Sequence, residues 1–315
     1  MMNFGLVQAG KFWSFLFRKP KVLGLPYAAS IEPSNACNLR CLECPVGQKT
    51  SRSKQPFMEL NEFKLIIHKL SNTVCYLMLY FQGEPLMNEQ FSEMVKLAKK
   101  RRIFVNTSTN GHYLNESIRR RLIHSGLDHL IISVDGLSQQ SYESYRKGGN
   151  LELVKNNIHS LVAMKRQNGS KTPFITIQFM VTSANEHEMS AARNWQHEAG
   201  FDALVFKSIQ LYDGVNNTCL LPSNPKYRRY DVTGQNGHLV LKNEVKNCSR
   251  IWTTAVIDHQ GNLVPCCYDK NGIHVIGNLK QYQLKDLWKG RRFNEFRQKV
   301  LKQDKSIEIC RNCIG

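Results

Sequence analysis

The stretch Cys37-Asn38-Leu39-Arg40-Cys41-Leu42-Glu43-Cys44-Pro45 sets three thiols within eight residues, spaced Cys-x3-Cys-x2-Cys. It directly follows a short β-rich run, AASIEP from residue 28, so it belongs on a loop leaving the C-terminal end of a strand. Zinc closes on four protein ligands, and no His or Cys nearby is placed to be the fourth. Three thiolates on a [4Fe-4S] cluster leave one iron open to a ligand from outside the chain.

Outward from that loop, short apolar runs alternate with helical stripes. Strand candidates are CYLMLYFQ from 75, IFVNTST from 103, HLIISVDG from 129, FITIQFMV from 174 and ALVFKSI from 203. Between them, Phe63, Ile66, Ile67 and Leu70 repeat at i, i+3, i+4, i+7, as do Phe91, Met94, Val95 and Ala98. Six such strands alternating with amphipathic helices predict βα units and a parallel sheet covered on both faces. An open six-unit barrel and a doubly wound sheet both satisfy the pattern, and both place chemistry at the C-terminal strand ends. After Tyr212 the periodicity stops, and residues 213–247, rich in Asn, Gly and Pro, read as a linker. Residues 248–315 then read as a small unit. It has a hairpin around His259-Gln260-Gly261-Asn262 and one helix carrying Leu284, Leu287, Trp288, Phe293 and Phe296. With few apolar residues of its own, this unit is expected to need a metal staple.

The chain has 315 residues and ten cysteines, with 43 Lys+Arg against 25 Asp+Glu, a net charge of +18. It shows no secretory signal and no stretch of ~20 apolar residues, which predicts a cytoplasmic protein whose clustered cysteines bind metal or react. Most of the basic residues read as solvated helix faces. The excess also favours an acidic partner, such as a flavodoxin or ferredoxin electron donor or a phosphorylated substrate. No nucleic-acid-binding pattern is present, so nucleic acid is not expected.

The cysteine triplet after the first strand resembles the radical S-adenosylmethionine (SAM) superfamily. The resemblance implies a partial (β/α)6 barrel over residues 25–212. It also implies a [4Fe-4S] cluster on Cys37, Cys41 and Cys44 whose open iron chelates SAM. Reductive cleavage of SAM would then give a 5′-deoxyadenosyl radical that takes hydrogen from a substrate C–H. Three further motifs stand at successive strand ends, as in that family. In FQGEPL, Gln82, Gly83 and Glu84 match its Gly-Gly-Glu motif, with Gln82 in place of one glycine. In STNG, Asn110 ends the third strand. Ser133 in SVDG, and Arg146 thirteen residues later, match positions that contact SAM. One departure is Glu43, where the family usually has an aromatic residue beside the adenosine.

Cys248, Cys266, Cys310 and Cys313 resemble the ligand set of a SPASM extension in its shortened twitch form, with a spacing close to the aminocyclitol dehydrogenase of butirosin biosynthesis. This implies a second, auxiliary [4Fe-4S] cluster; structural zinc is the alternative. Cys267, next to one such ligand, is a candidate hydrogen-atom donor or an inert neighbour. Cys75 reads as a small hydrophobe starting a buried strand, and Cys219 falls in the linker. The arm 1–24 joins apolar side chains to four basic and no acidic residues. It reads either as a cap on the open end of the barrel, which is favoured, or as a helix lying on an anionic membrane. The expected activity is oxidation of a sugar or cyclitol alcohol. A peptide-modifying maturase is the alternative, disfavoured because the arm is too short for a peptide-recognition domain. A non-enzymatic iron–sulfur sensor is the third reading.

Overall fold

The computed structural model describes residues 2–48, 54–212, 218–233, 238–242, 247–304 and 306–313. Of the expected 213–247 linker, residues 213–217, 234–237 and 243–246 lie outside the described residues, as do residue 1 of the arm and residues 305, 314 and 315 of the C-terminal unit.

A helix, α1 (Met2–Phe17), precedes six parallel strands: β1 (Ala28–Ile31), β2 (Tyr76–Met78), β3 (Phe104–Thr109), β4 (His129–Ser133), β5 (Phe174–Val181) and β6 (Ala203–Ser208). They pair in chain order, β1 to β6, as expected for a partial barrel. The two predicted helical stripes face this sheet: Phe63, Ile66, Ile67, Leu70, Met94, Val95 and Ala98 are fully buried. Alternate strand residues meet them, with Leu77, Val105, Leu130, Ile132, Ile175 and Ile177 also inaccessible. The other face of the strands carries Asn106, Ser108, Ser133, Gln178 and Lys207 and forms a polar inner wall.

Three expectations need correction. The linker contains a hairpin, β7 (Tyr230–Thr233) paired antiparallel with β8 (His238–Leu241). Tyr230 is buried in a satellite core with Leu39, Cys41, Tyr145, Ile209 and Leu211, directly under the cysteine loop. The C-terminal unit, in turn, is not poor in core. Its β9 (Thr254–Ile257) pairs parallel with β1, β10 (Asn262–Val264) returns antiparallel, and β11 (Gly277–Asn278) closes the edge, giving one nine-stranded sheet. Ile251, Trp252, Leu263, Trp288, Phe293 and Phe296 all join the main hydrophobic core. The predicted single helix breaks at Gly290 into Leu284–Lys289 and Arg291–Leu301. Arg297 explains how the break is held. It is fully buried, donates to the Trp288 carbonyl at 2.6 Å and the Ile251 carbonyl at 3.0 Å, and lies 3.7 Å from the centre of the Phe293 ring. A charged side chain was not expected there. Cys75 also departs from the reading: it is exposed just before β2.

Candidate functional site

The cysteine loop leaves β1 at its C-terminal end and is fixed by backbone bonds from Arg40 to Lys147 O (3.0 Å) and Leu42 to Tyr145 O (3.4 Å). Donors from the end of β3 and from the C-terminal end of the helix Gln139–Tyr145 are aimed at its sulfurs. Asn110 Nδ2 lies 3.9 Å from Cys37 Sγ, and Arg146 Nη1 lies 3.9 Å from Cys41 Sγ. Leu39 N–H also points at Cys37 Sγ, at 3.5 Å. Burial pushes the Cys37 thiol up to about 12 and raises Cys41 too, where Arg146 opposes it. Burial thus disfavours the thiolate form of Cys37 and Cys41, and binding metal would displace their protons. Three thiols on one loop, met by N–H donors that strengthen on thiolate charge, fit a three-coordinated iron–sulfur cluster.

The Gly-Glu step braces the cysteine loop. Gly83 has φ +63°, and a Cβ there would collide with the carbonyl of Ser34. Its bareness lets the β2 loop press against the root of the cysteine loop, where Glu84 N–H bonds Ala36 O at 2.7 Å. Glu84, 1% exposed, accepts from Leu86 N–H (3.1 Å), the Thr109 hydroxyl (2.7 Å) and Asn110 N–H (2.8 Å). Burial raises its carboxyl above the ordinary range against these bonds. The carboxylate thus ties the β2 end to the β3 end and sets Asn110, whose amide also donates to Asn38 Oδ1 at 2.8 Å. Gln82 Nε2 reaches the Lys270 carbonyl of the C-terminal unit at 2.8 Å, while its Oε1 is buried with no partner among the described residues.

Ser133 ends β4, buried at the same mouth. Two residues on, Asp135 is the partner that sequence reasoning missed. Its Oδ2 holds Arg146 Nε at 2.6 Å and its Oδ1 accepts Met180 N–H at 2.7 Å. SVDG includes this aspartate, and its offset from Ser133, like Ser133's from Ile131, points it inward. Glu43 is buried and its carboxylate accepts the Tyr212 N–H, so the departure from an aromatic residue tethers the segment after β6 to the cysteine loop.

The second thiol set is brought together by the C-terminal fold. Burial raises both Cys248 and Cys266, with the charge of Cys313 adding to the first and those of Cys267, Cys248 and Cys310 to the second. Cys310 is pushed up to about 12 by burial and then by Cys248 and Cys313. These thiols lie within electrostatic reach of one another and are the donor type of a fully thiolate-ligated cluster, although no group of three or more His, Cys, Asp or Glu among the described residues is gathered tightly enough for a single metal ion. Cys267 adjoins that group through Cys266. Its sulfur receives Arg250 Nη1 at 3.0 Å, and it neighbours Tyr80 and Lys270. Cys219 lies exposed in a short 3-10 turn whose Leu220 packs in the same cluster as Cys41.

Between the sets lies a cleft of about 790 Å³. Glu43 and Cys44 line one side; Tyr268, Lys270, Asn271 and Asn312 line the other. Gln210 and Tyr212 close the end, and Gln210 Nε2 is a buried donor with no partner among the described residues.

Residues 31–188 match the radical SAM superfamily, and residues 248–314 match the iron–sulfur cluster-binding domain SPASM. The chain is 24% identical over 295 residues to the tungsten-containing aldehyde ferredoxin oxidoreductase cofactor-modifying protein of Pyrococcus furiosus, covering 85% of this chain and 82% of that protein. It is 22% identical to the PqqA peptide cyclase of Granulibacter bethesdensis, covering 91% and 79%. Among solved structures, BtrN in complex with AdoMet and 2-DOIA aligns with a TM-score of 0.57 at 19% identity, covering 92% of this chain and 94% of that one. BtrN is the butirosin dehydrogenase whose cysteine spacing this chain approaches.

Proposed function

The chain belongs to the radical SAM superfamily and is an enzyme with SAM and iron–sulfur clusters as cofactors; from that premise we propose that it oxidises a hydroxylated small molecule of the sugar or cyclitol kind. Cys37, Cys41 and Cys44 would hold the SAM-binding [4Fe-4S] cluster, and Cys248, Cys266, Cys310 and Cys313 the auxiliary one. When bound, the first cluster and SAM would supply a 5′-deoxyadenosyl radical able to take one hydrogen from a substrate C–H, and the auxiliary cluster would supply the acceptor for the second electron of an alcohol oxidation, the hydroxyl proton leaving to solvent or a nearby base.

The chain's own groups do the positioning. Arg146, held by Asp135, presents a fixed cation beside the SAM site; Ser133 and Asn110 offer hydrogen bonds at adjoining strand ends. Glu84 keeps Asn110 in place, and Gln82 offers an unfilled acceptor. Cys267, whose sulfur receives the Arg250 guanidinium and which precedes the cleft residue Tyr268, is the candidate for a hydrogen-atom donor or a substrate-orienting thiol.

The cleft carries the substrate reading. Its volume lies in the range of small-molecule sites, and its walls offer Gln210, Tyr212, Tyr268, Asn271 and Asn312 as hydrogen-bonding groups. A polyol oxygen would satisfy the orphaned Gln210 amide. The net charge of +18 supports an acidic electron donor of the flavodoxin or ferredoxin type. The likeness to a peptide cyclase keeps a peptide substrate as the second reading. Reconstituted, reduced protein should release 5′-deoxyadenosine from SAM. With carbon-deuterated sugars or cyclitols, deuterium should appear in that product. Transfer only from peptides would replace the first reading by the second, and no SAM cleavage at all would remove both.

A further inference from the structure

Helix α1 buries its small side chains and shows its large ones to solvent. Its inward stripe is Val7, Gly10 and Ser14. A Cβ on Gly10 would meet the Lys21 carbonyl at 2.6 Å, so this face packs closely on the segment that follows the helix. Ser14 Oγ donates to Gly10 O at 2.6 Å and accepts Lys21 N–H at 2.8 Å, while Asn3 makes two 2.9 Å bonds with the Leu25 backbone. The helix is therefore held in one orientation. At about 100° per residue, Met2, Phe12 and Leu16 fall on the opposite half and Trp13 at its edge, while Leu6 and Phe17, also exposed, lie on the flank between that half and the inward stripe. Met2 is 84% exposed, Phe12 69%, Leu16 62% and Phe17 54%. A surface helix ordinarily has the reverse arrangement, and a contiguous apolar face of this kind marks an interaction site.

Charge tells what covers it. Lys11, Arg18, Lys19 and Lys21 flank the apolar face, and no acidic residue occurs before Glu32. Lys21 Nζ lies 5.8 Å from the Trp13 ring centre, and Lys289 Nζ reaches the Leu23 carbonyl at 2.7 Å, adding a cation at the same end. A second copy would set cations against cations. We propose that α1 docks the enzyme on an anionic lipid surface, with Phe12, Trp13, Leu16 and Phe17 at the headgroup boundary and the basic residues among the phosphates. No helix among the described residues is long and apolar enough to cross a membrane, so this attachment lies in the plane of the surface.

The docking has a direction. Phe4 packs 5.1 Å from Tyr27, just before β1, and Phe15 packs 5.3 Å from Trp252, just before β9. Helix α1 thus sits at the N-terminal strand ends, opposite the cysteine loop, and the mouth of the barrel faces away from the lipid. It caps that end and docks with its other side.

The full chain should be mixed with vesicles of phosphatidylcholine, with and without phosphatidylglycerol, and followed by co-sedimentation and tryptophan emission. Trp13 is 36% exposed, against 8% or less for Trp195, Trp252 and Trp288, so a blue shift reports on the helix. Binding should be at least roughly ten-fold tighter to the anionic vesicles and weaken in salt. The triple substitution Phe12→Ser, Leu16→Ser and Phe17→Ser should abolish it while SAM cleavage and circular dichroism are retained. Lys11→Glu with Lys19→Glu, which leaves the apolar face alone, should weaken it separately. Absence of binding by the parent chain, or sedimentation showing a dimer that the serine variant dissociates, would overturn the proposal.

Discussion

Arg146 illustrates how much one side chain depends on its neighbours. The guanidinium sits between Asp135 and the Cys41 sulfur; burial, the largest single influence, works to lower its pKa, but the charges of Asp135, Cys41, Tyr142 and Tyr145 together hold it well above the ordinary value. Replacing Asp135 by Asn keeps the shape and removes the charge. SAM affinity should then fall by roughly ten-fold or more, the worth of one charge-assisted contact, while iron content stays constant. Equilibrium SAM binding beside an iron assay checks this; unchanged affinity would leave Asp135 with a purely structural part. The thiols allow a second test. Substituting Cys37, Cys41 and Cys44 together by Ala should leave about four irons of about eight per chain, since the C-terminal thiols form a separate group. Complete loss of iron in a folded variant would contradict that division. Gly83→Ala tests the backbone: its positive φ and the Ser34 carbonyl should make it destabilising by ~1–3 kcal/mol in chemical unfolding.

At the level of elements, the decisive join is β9 on β1. Parallel pairing from Ala28 opposite Thr254 to Ile31 opposite Ile257 covers an edge that a six-stranded partial barrel would leave open. The helix pair beyond Gly290 secures this arrangement through Arg297, which bonds the carbonyl of Ile251 just before β9. Arg297→Ala removes a buried cation and also strands two carbonyls. It should cost ~2–4 kcal/mol, read as a lower urea midpoint with the slope unchanged. A change within experimental error would mean water replaces the guanidinium without loss.

Across the whole molecule, the C-terminal unit and the barrel share one core, which alters what metal loss should do. A chain deprived of iron by chelation should keep its far-UV circular dichroism, because Trp252, Trp288 and Phe293 belong to the same apolar core as the barrel helices and strands. Extensive loss of helical signal would restore the view of iron as a staple for this unit. The same continuity makes the cleft a joint property of both halves, with Glu43 and Cys44 on one wall and Tyr268 and Asn312 on the other.

The local pattern was enough for the six barrel strands, the stripes Phe63–Leu70 and Phe91–Ala98, and the cysteine loop at a strand end. Period and spacing are properties of neighbouring residues, and burial only had to agree with them. Site motifs were legible for the same reason: each is contiguous and each ends a strand. What lay beyond reach involved partners distant in the chain. Nothing near Asp135 names Arg146 as its partner, and nothing near Thr254 names the β1 edge. The Asn- and Gly-rich segment around Tyr230 hides a residue whose burial is decided by the cysteine loop above it. For α1 the composition announced an apolar basic arm, but which side faced inward depended on Gly10 and Ser14 meeting Lys21. That choice is steric: only small residues allow the segment 21–25 to lie against the helix, so the large ones are left outside.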